Sequence, residues 1–335
     1  MIKPLLLSAL LCAAGTAFAQ NHTHEFTLVQ PTQKTANSLY NTLKFIDSRV
    51  DDADMGFVQT GALNRNATVI STIPVSAQMH DAMGAMLDSS AADGELLYQL
   101  RQLRFAEVTG AFNEKGYCQM RLALYARQND DYIQLARIDT VLEVSGVDVT
   151  NKLLKHSSKM LTDLIALNLT RKPEGKSLTL DDVKNVDLIE KKDLPVFTAD
   201  KFTDGLYTSY ASFKQQVPDK SAAVEMKNDT TISWVKAADA TGKMIKQRSR
   251  DVYAVVHNGK PYIATPYGFY ALSRQDNDLQ FTGRIKATAD MGNVMAGALM
   301  FGMAGALLTA QGDAEYAMKI DHVSGNFVRL KKVVR

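Results

Sequence analysis

Tyr117-Cys118-Gln119-Met120-Arg121-Leu122-Ala123-Leu124-Tyr125-Ala126-Arg127 carries the clearest structural signal in the chain. Cys118, Met120, Leu122 and Leu124 recur at period two, so in an extended backbone they share one face, while Arg121 and Arg127 turn the other way with Tyr117 and Tyr125. Gln128-Asn129-Asp130 then supplies turn chemistry and Asp131 to Val144 continues the pattern, which predicts an antiparallel hairpin. Gln102 to Thr109, upstream, reads as a further extended segment. Downstream, a helix is predicted with Asp148 as its cap, since a carboxylate oxygen can accept the free amides of a first turn. Leu153, Leu154, Met160, Leu161, Leu164, Ile165 and Asn168 mark its apolar stripe, which predicts that the helix lies on the sheet.

Further out, Leu39 to Asp47 and Ala67 to Ile73 read as strands, the second ended by Pro74, and Ser76 opens a helical stretch through Met79, Met83, Met86 and Leu87. Residues 20–170 are thus expected to form an α+β domain, a mixed or antiparallel sheet with two helices. Arg171 to Asp193 is charged, contains Pro173, Gly175 and Glu190-Lys191-Lys192-Asp193, and places a linker over residues 171–200. Residues 201–335 read as a mostly antiparallel β domain. Ile232 and Trp234 alternate within Thr231 to Lys236, and Thr241-Gly242 makes a turn. Asn258-Gly259 supplies the two positive-φ positions of a type I′ hairpin, with His257 opposite Lys260 and Val255 opposite Tyr262. Pro261 cannot donate to a ladder, so its strand is an edge or its nitrogen faces away from a neighbour. Tyr316 to His322 and Asn326 to Lys331, joined by Val323-Ser324-Gly325, form a last hairpin.

Residues 1–19 have the parts of a cleavable export signal: Lys3, the apolar run Leu5 to Ala14, and the small-x-small Ala17-Phe18-Ala19 before Gln20. The run is too short to span a bilayer as a helix. Removing it leaves a chain of about 315 residues, long enough by the usual prior for two domains. The 38 Lys and Arg include Lys3, so 37 then face 36 acidic residues, a net charge of +1. No concentrated basic face marks a nucleic-acid partner. Of the two cysteines, Cys12 lies in the export signal and Cys118 alone remains, which excludes an intrachain disulfide and a zinc site built on cysteine pairs.

Asp204-Gly205-Leu206-Tyr207-Thr208-Ser209-Tyr210-Ala211-Ser212-Phe213, with Pro218 after it, resembles a phrase of uncharacterised exported proteins of gram-negative bacteria. So do Asn258-Gly259-Lys260-Pro261-Tyr262-Ile263, Gly268-Phe269-Tyr270, a glycine-rich apolar insert, and Asp321-His322-Val323-Ser324-Gly325-Asn326-Phe327. The first half, with Phe45-Ile46-Asp47-Ser48-Arg49 before a strand and helix, is similar to small periplasmic lipoproteins that assist envelope transporters, without their lipidated cysteine. The resemblances imply an envelope location and carry no catalytic residues.

The chemistry-bearing residues are sparse. None of His22, His24, His80, His156, His257 and His322 pairs with another at the i, i+4 spacing of a zincin helix, and neither a nucleophile elbow nor a phosphate loop is present. Cys118, on an apolar strand face, reads as a buried thiol rather than a nucleophile. Asp47, Asp51, Asp52 and Asp54 lack the spacing of a calcium loop and read as solvated. With cleavage after Ala19, Gln20-Asn21-His22 would offer an amine, two amides and an imidazole to Cu(II) or Ni(II) in a square plane, unless Gln20 cyclises.

Met291 to Gly312 contains no charged residue over a length that could span a bilayer, although Asn293 and five glycines lower its hydrophobicity. Ala298, Gly302, Ala306 and Ala310 recur every four positions, a ridge that lets helices approach closely in a membrane or a core. Both readings stand: an insert packed within the β domain, or a segment that enters a membrane. The function expected is a non-enzymatic binding or assembly role in the periplasm or at the outer membrane, with an envelope protein or the membrane as partner. A periplasmic enzyme with a site dispersed along the chain and a structural surface protein are the alternatives.

Overall fold

The computed structural model describes residues 22–284 and 315–333 apart from 51, 54, 62–64, 110–113 and 229. It is an α+β fold with mostly β structure. In chain order the first elements are β1 (Thr23–Glu25), β2 (Thr42–Asp47), β3 (Phe57–Thr60), β4 (Arg65–Ile70), α1 (Val75–Met86), β5 (Glu95–Thr109), β6 (Glu114–Gln128), β7 (Asp131–Gly146), α2 (Thr150–Ala166) and β8 (Ser177–Leu178). Five strands make a mixed sheet ordered β2-β5-β6-β7-β8, in which only β2 and β5 run parallel, and β1-β4-β3 form a smaller sheet. β2 starts three residues later than the pattern suggests, because Tyr40 packs into the core and the Leu39 amide bonds the Leu169 carbonyl.

The face of β6 carrying Cys118, Met120, Leu122 and Leu124 packs under α1 and α2, as the period predicts, with Leu153, Leu161 and Ile165 wholly buried. Each such side chain contributes roughly 1.5–3 kcal/mol when withdrawn from water. Asp148 does not cap α2. Val149 precedes the helix already in helical conformation, is buried, and its carbonyl accepts the Leu153 amide, which leaves Asp148 exposed in the approach. The start of α2 is held instead by Thr150, whose hydroxyl donates to the buried Glu107 carboxylate at 2.6 Å.

The opposite face of β6 is also covered, since Tyr117, Gln119, Arg121, Ala123 and Tyr125 are all buried. Part of the cover comes from residues 171–200, expected as a charged linker but folded as β8, α3 (Leu180–Lys184), α4 (Val186–Lys192) and α5 (Pro195–Thr198). Local chemistry explains it: Thr179 and Asp182 form a reciprocal capping box, β8 pairs with β7, and Val183 packs on Ala123 and Tyr125.

The remaining elements are β9 (Gly205–Tyr207), α6 (Tyr210–Gln215), β10 (Ala222–Asn228), β11 (Thr231–Ala238), β12 (Met244–Lys246), β13 (Ala254–His257), β14 (Lys260–Thr265), β15 (Gly268–Ala271), β16 (Ser273–Gln275), β17 (Asp278–Gly283), β18 (Glu315–Ile320) and β19 (Phe327–Val333). They build three antiparallel sheets, β10-β11-β12, β15-β14-β13-β9 and β16-β17-β18-β19. Asn258 (φ 53°) and Gly259 (φ 71°) make the expected turn with the expected register, and the Asp204 carboxylate accepts both their amides. β14 is not an edge. Pro261 faces Val256 in β13, and β15 ends before it, so no ladder bond requires its nitrogen.

Ile232 and Trp234 do not share a face. The register skips Ser233, a bulge that sends Ile232, Val235 and Ala237 to the core and leaves Trp234 half-buried beneath Lys236, whose Nζ lies 4.6 Å from the ring centroid. Phe57, Ala106 and Tyr117 from the first half join Val196, Tyr207, Phe213, Ile263 and Phe281 in one apolar cluster, so the halves share a core.

Candidate functional site

At the rim of that shared core lies a charged cleft. Its first wall comes from β5, where Leu100 and Leu103 both enter the α-helical core with two polar residues between them. The ladder passes from Leu100–Leu122 to Gln102–Arg121, so Arg101 is the extra residue of a bulge and falls on the same side as Gln102. The α4 turn places Asp187 and Glu190, three residues apart, against it. Arg101 Nη2 lies 2.6 Å from Asp187 Oδ1 and 2.5 Å from Glu190 Oε2, and Nη1 lies 3.1 Å from Glu190 Oε1.

The second wall is the loop between β18 and β19. His322 Nε2 lies 2.8 Å from Glu190 Oε2, and Asp321 takes a two-point grip from Arg121 at 2.9 and 3.0 Å. Lys191 and Lys319 both hold Asp278, at 2.6 and 3.1 Å. Burial pushes Glu190 upward, but the hydrogen bonds from His322 and Arg101 outweigh it and bring the carboxyl down to about 2. At Asp321 burial is likewise overcome by Arg121 and by the Ser324 amide and hydroxyl, which hold it well below the usual carboxylate range.

The loop presenting Asp321 and His322 is fixed by two tyrosines, one of them in the 204–213 region. Tyr210 donates its hydroxyl to the His322 carbonyl at 2.7 Å, and Tyr253 donates to the Gly325 carbonyl at 2.6 Å. Gly325 has φ +78° and a Cβ there would collide with the Tyr210 ring. Two of the segments that carried the sequence resemblance, 204–213 and 321–327, therefore meet in space.

Between the walls is a cavity of about 90 Å³. Among the described residues it is lined by the cations Arg49, Arg101, Arg104, Arg121, Lys319 and Arg329, and by three carboxylates, Asp187, Asp278 and Asp321. Asp187, Glu190 and His322 present donor atoms within 4.8 Å of one another, the reach of a metal site. Arg101 already engages both carboxylates, so a metal ion would have to displace a guanidinium.

The residues singled out by sequence lie elsewhere. Cys118 is completely buried on the far face of β6, and burial pushes its thiol up to about 12, which fits the structural reading. His22 is described, its carbonyl accepting the Thr68 amide, whereas Gln20 and Asn21 lie outside the described residues. So do Ala298, Gly302, Ala306 and Ala310 and the whole of 291–312. Among the described residues no helix is long and apolar enough to cross a membrane. Asp47, placed in a solvated acidic loop, grips Arg49 at 2.6 and 2.9 Å.

The fold and cleft define an α+β protein whose two halves are clamped by ion pairs around a small cationic cavity. No family model and no curated protein matches the chain. Among solved structures it is similar to protein XCC0632 from Xanthomonas campestris, described under the family model DUF330, with 9% identity over 44% of this chain and 95% of that one. The TM-score is 0.29.

Proposed function

We propose that this chain is a non-enzymatic binding or assembly protein of the cell envelope. Residues 1–19 direct its export, residues 291–312 attach it to a membrane or an envelope protein, and the junction cleft is the surface it offers to a ligand. One observation carries the reading: the titratable groups gathered at the cleft are committed to one another in fixed ion pairs, an arrangement suited to holding a ligand rather than to moving protons. Fractionation of the exported protein with and without residues 291–312 tests it. The intact chain should travel with membranes and the deleted chain should not; equal behaviour of the two would remove the attachment role. An enzymatic reading has the Asp187-Glu190-His322 cluster in its favour. It requires those three side chains to bind Zn(II), and a calorimetric titration in which Glu190→Gln abolishes Zn(II) uptake would favour it instead.

A further inference from the structure

The cleft contains cationic N–H groups that no acceptor among the described residues satisfies. The Arg49 side chain is 7% exposed and the Arg101 side chain 9% exposed, and both line the cavity. Asp47 grips Arg49 through Nε and Nη2, leaving Nη1 buried without a hydrogen-bond partner; Asp187 and Glu190 grip Arg101 through its two terminal nitrogens, leaving Nε buried and likewise without one. A buried guanidinium donor without an acceptor is costly, and two of the carboxylates that orient these arginines, Asp47 and Glu190, do not themselves line the cavity; nor does Asp139, which pairs with Arg121. Among the described residues the lining has twice as many cations as carboxylates. We infer that the cavity is a binding site for a phosphate group, the small oxyanion whose several acceptor oxygens match a ring of guanidinium forks.

The size agrees, since about 90 Å³ admits one such group or a few waters and excludes a bulky ligand from the floor. Gln102 also lines the cavity, with an amide oxygen that lacks a partner while its Nε2 donates to Gln119 at 2.6 Å. Turning both amides over preserves the bond between them and offers the Gln102 amide nitrogen to the anion. The phosphate could belong to a soluble phosphate compound or to a lipid headgroup presented at a membrane surface. Both sources share this chemistry.

The inference rests on the cleft being the ligand-facing surface, and its failure is separable: a chain that fractionates with membranes through residues 291–312 yet ignores phosphate refutes this site alone. The test is calorimetric titration of the full exported chain with inorganic phosphate at low ionic strength, beside Arg49→Gln, Arg49→Lys and the exposed control Arg248→Gln. Saturable binding is expected, weakened about tenfold or more by Arg49→Gln, and partly by Arg49→Lys, which keeps the charge and loses the fork. Arg248→Gln should leave it unchanged. Vesicles of phosphatidylcholine with and without phosphatidylglycerol identify the source. Binding that depends on Arg49 and on the anionic lipid, and that phosphate displaces, assigns a headgroup; phosphate binding without it assigns a soluble compound. The inference is overturned if neither phosphate nor anionic vesicles bind, or if Arg49→Gln and Arg49→Lys, folded by circular dichroism, bind as the parent does.

Discussion

Arg121 and Asp321 are 200 residues apart in sequence and meet as a two-point ion pair with side chains 6% and 12% exposed. Replacing Asp321 with Asn keeps the shape but leaves a buried guanidinium short of its counter-charge, and breaking a buried pair from one side typically costs about 3–5 kcal/mol. Asp321→Asn should therefore lower chemical-denaturation stability by about that amount, whereas Arg248→Gln, which cuts an exposed pair, should change it by less than about 1 kcal/mol. Cys118 provides the converse case. Its burial and its raised pKa predict that a bulky thiol reagent leaves it unlabelled in the native chain and reacts once denaturant opens the core. Rapid native labelling, read by mass spectrometry, would contradict its position beneath α2.

At the scale of elements, what was legible is what the backbone period controls. The β6–β7 hairpin, the stripe of α2 and the Asn258-Gly259 turn are all written as local spacing. The sites of departure are bulges and long-range partners. Arg101 shifts the phase of β5 by one residue and Trp234 sits beyond a similar slip at Ser233, so a strict alternation reads both strands only in part. In hindsight Leu100-Arg101-Gln102-Leu103 carries the signal, because two polar residues between two core leucines cannot be fitted at period two. No such signal links His322 to Glu190, 132 residues away, or identifies Arg121 as part of a clamp rather than of a wet sheet face. The two turn glycines should also separate. Gly259→Ala meets no neighbouring atom and incurs only the strain of φ +71°, about 1 kcal/mol. Gly325→Ala adds a collision with Tyr210 to φ +78° and should cost more, roughly 2–3 kcal/mol, seen as the larger loss of Tm.

For the whole molecule, the folded carboxyls at the junction set the acid response. Glu190 falls from its ordinary 4.5 to about 2, and Asp321 is also lowered, so their charged forms are favoured by folding. That contribution is complete above pH 4.5 and is lost as pH falls through about 2, which predicts a Tm that declines across this window and declines less steeply in Asp321→Asn. The halves form one unit through a shared apolar core and the ion-pair clamp, and each half contains its own reporter. Trp234, the single tryptophan, lies in the second half, and Cys118 lies in the core of the first. The most direct test follows both through one denaturant titration, by tryptophan emission and by mass-mapped labelling of Cys118. A joined molecule predicts coincident midpoints in the parent, separating in Asp321→Asn; midpoints already apart in the parent, and unmoved by that substitution, would contradict it.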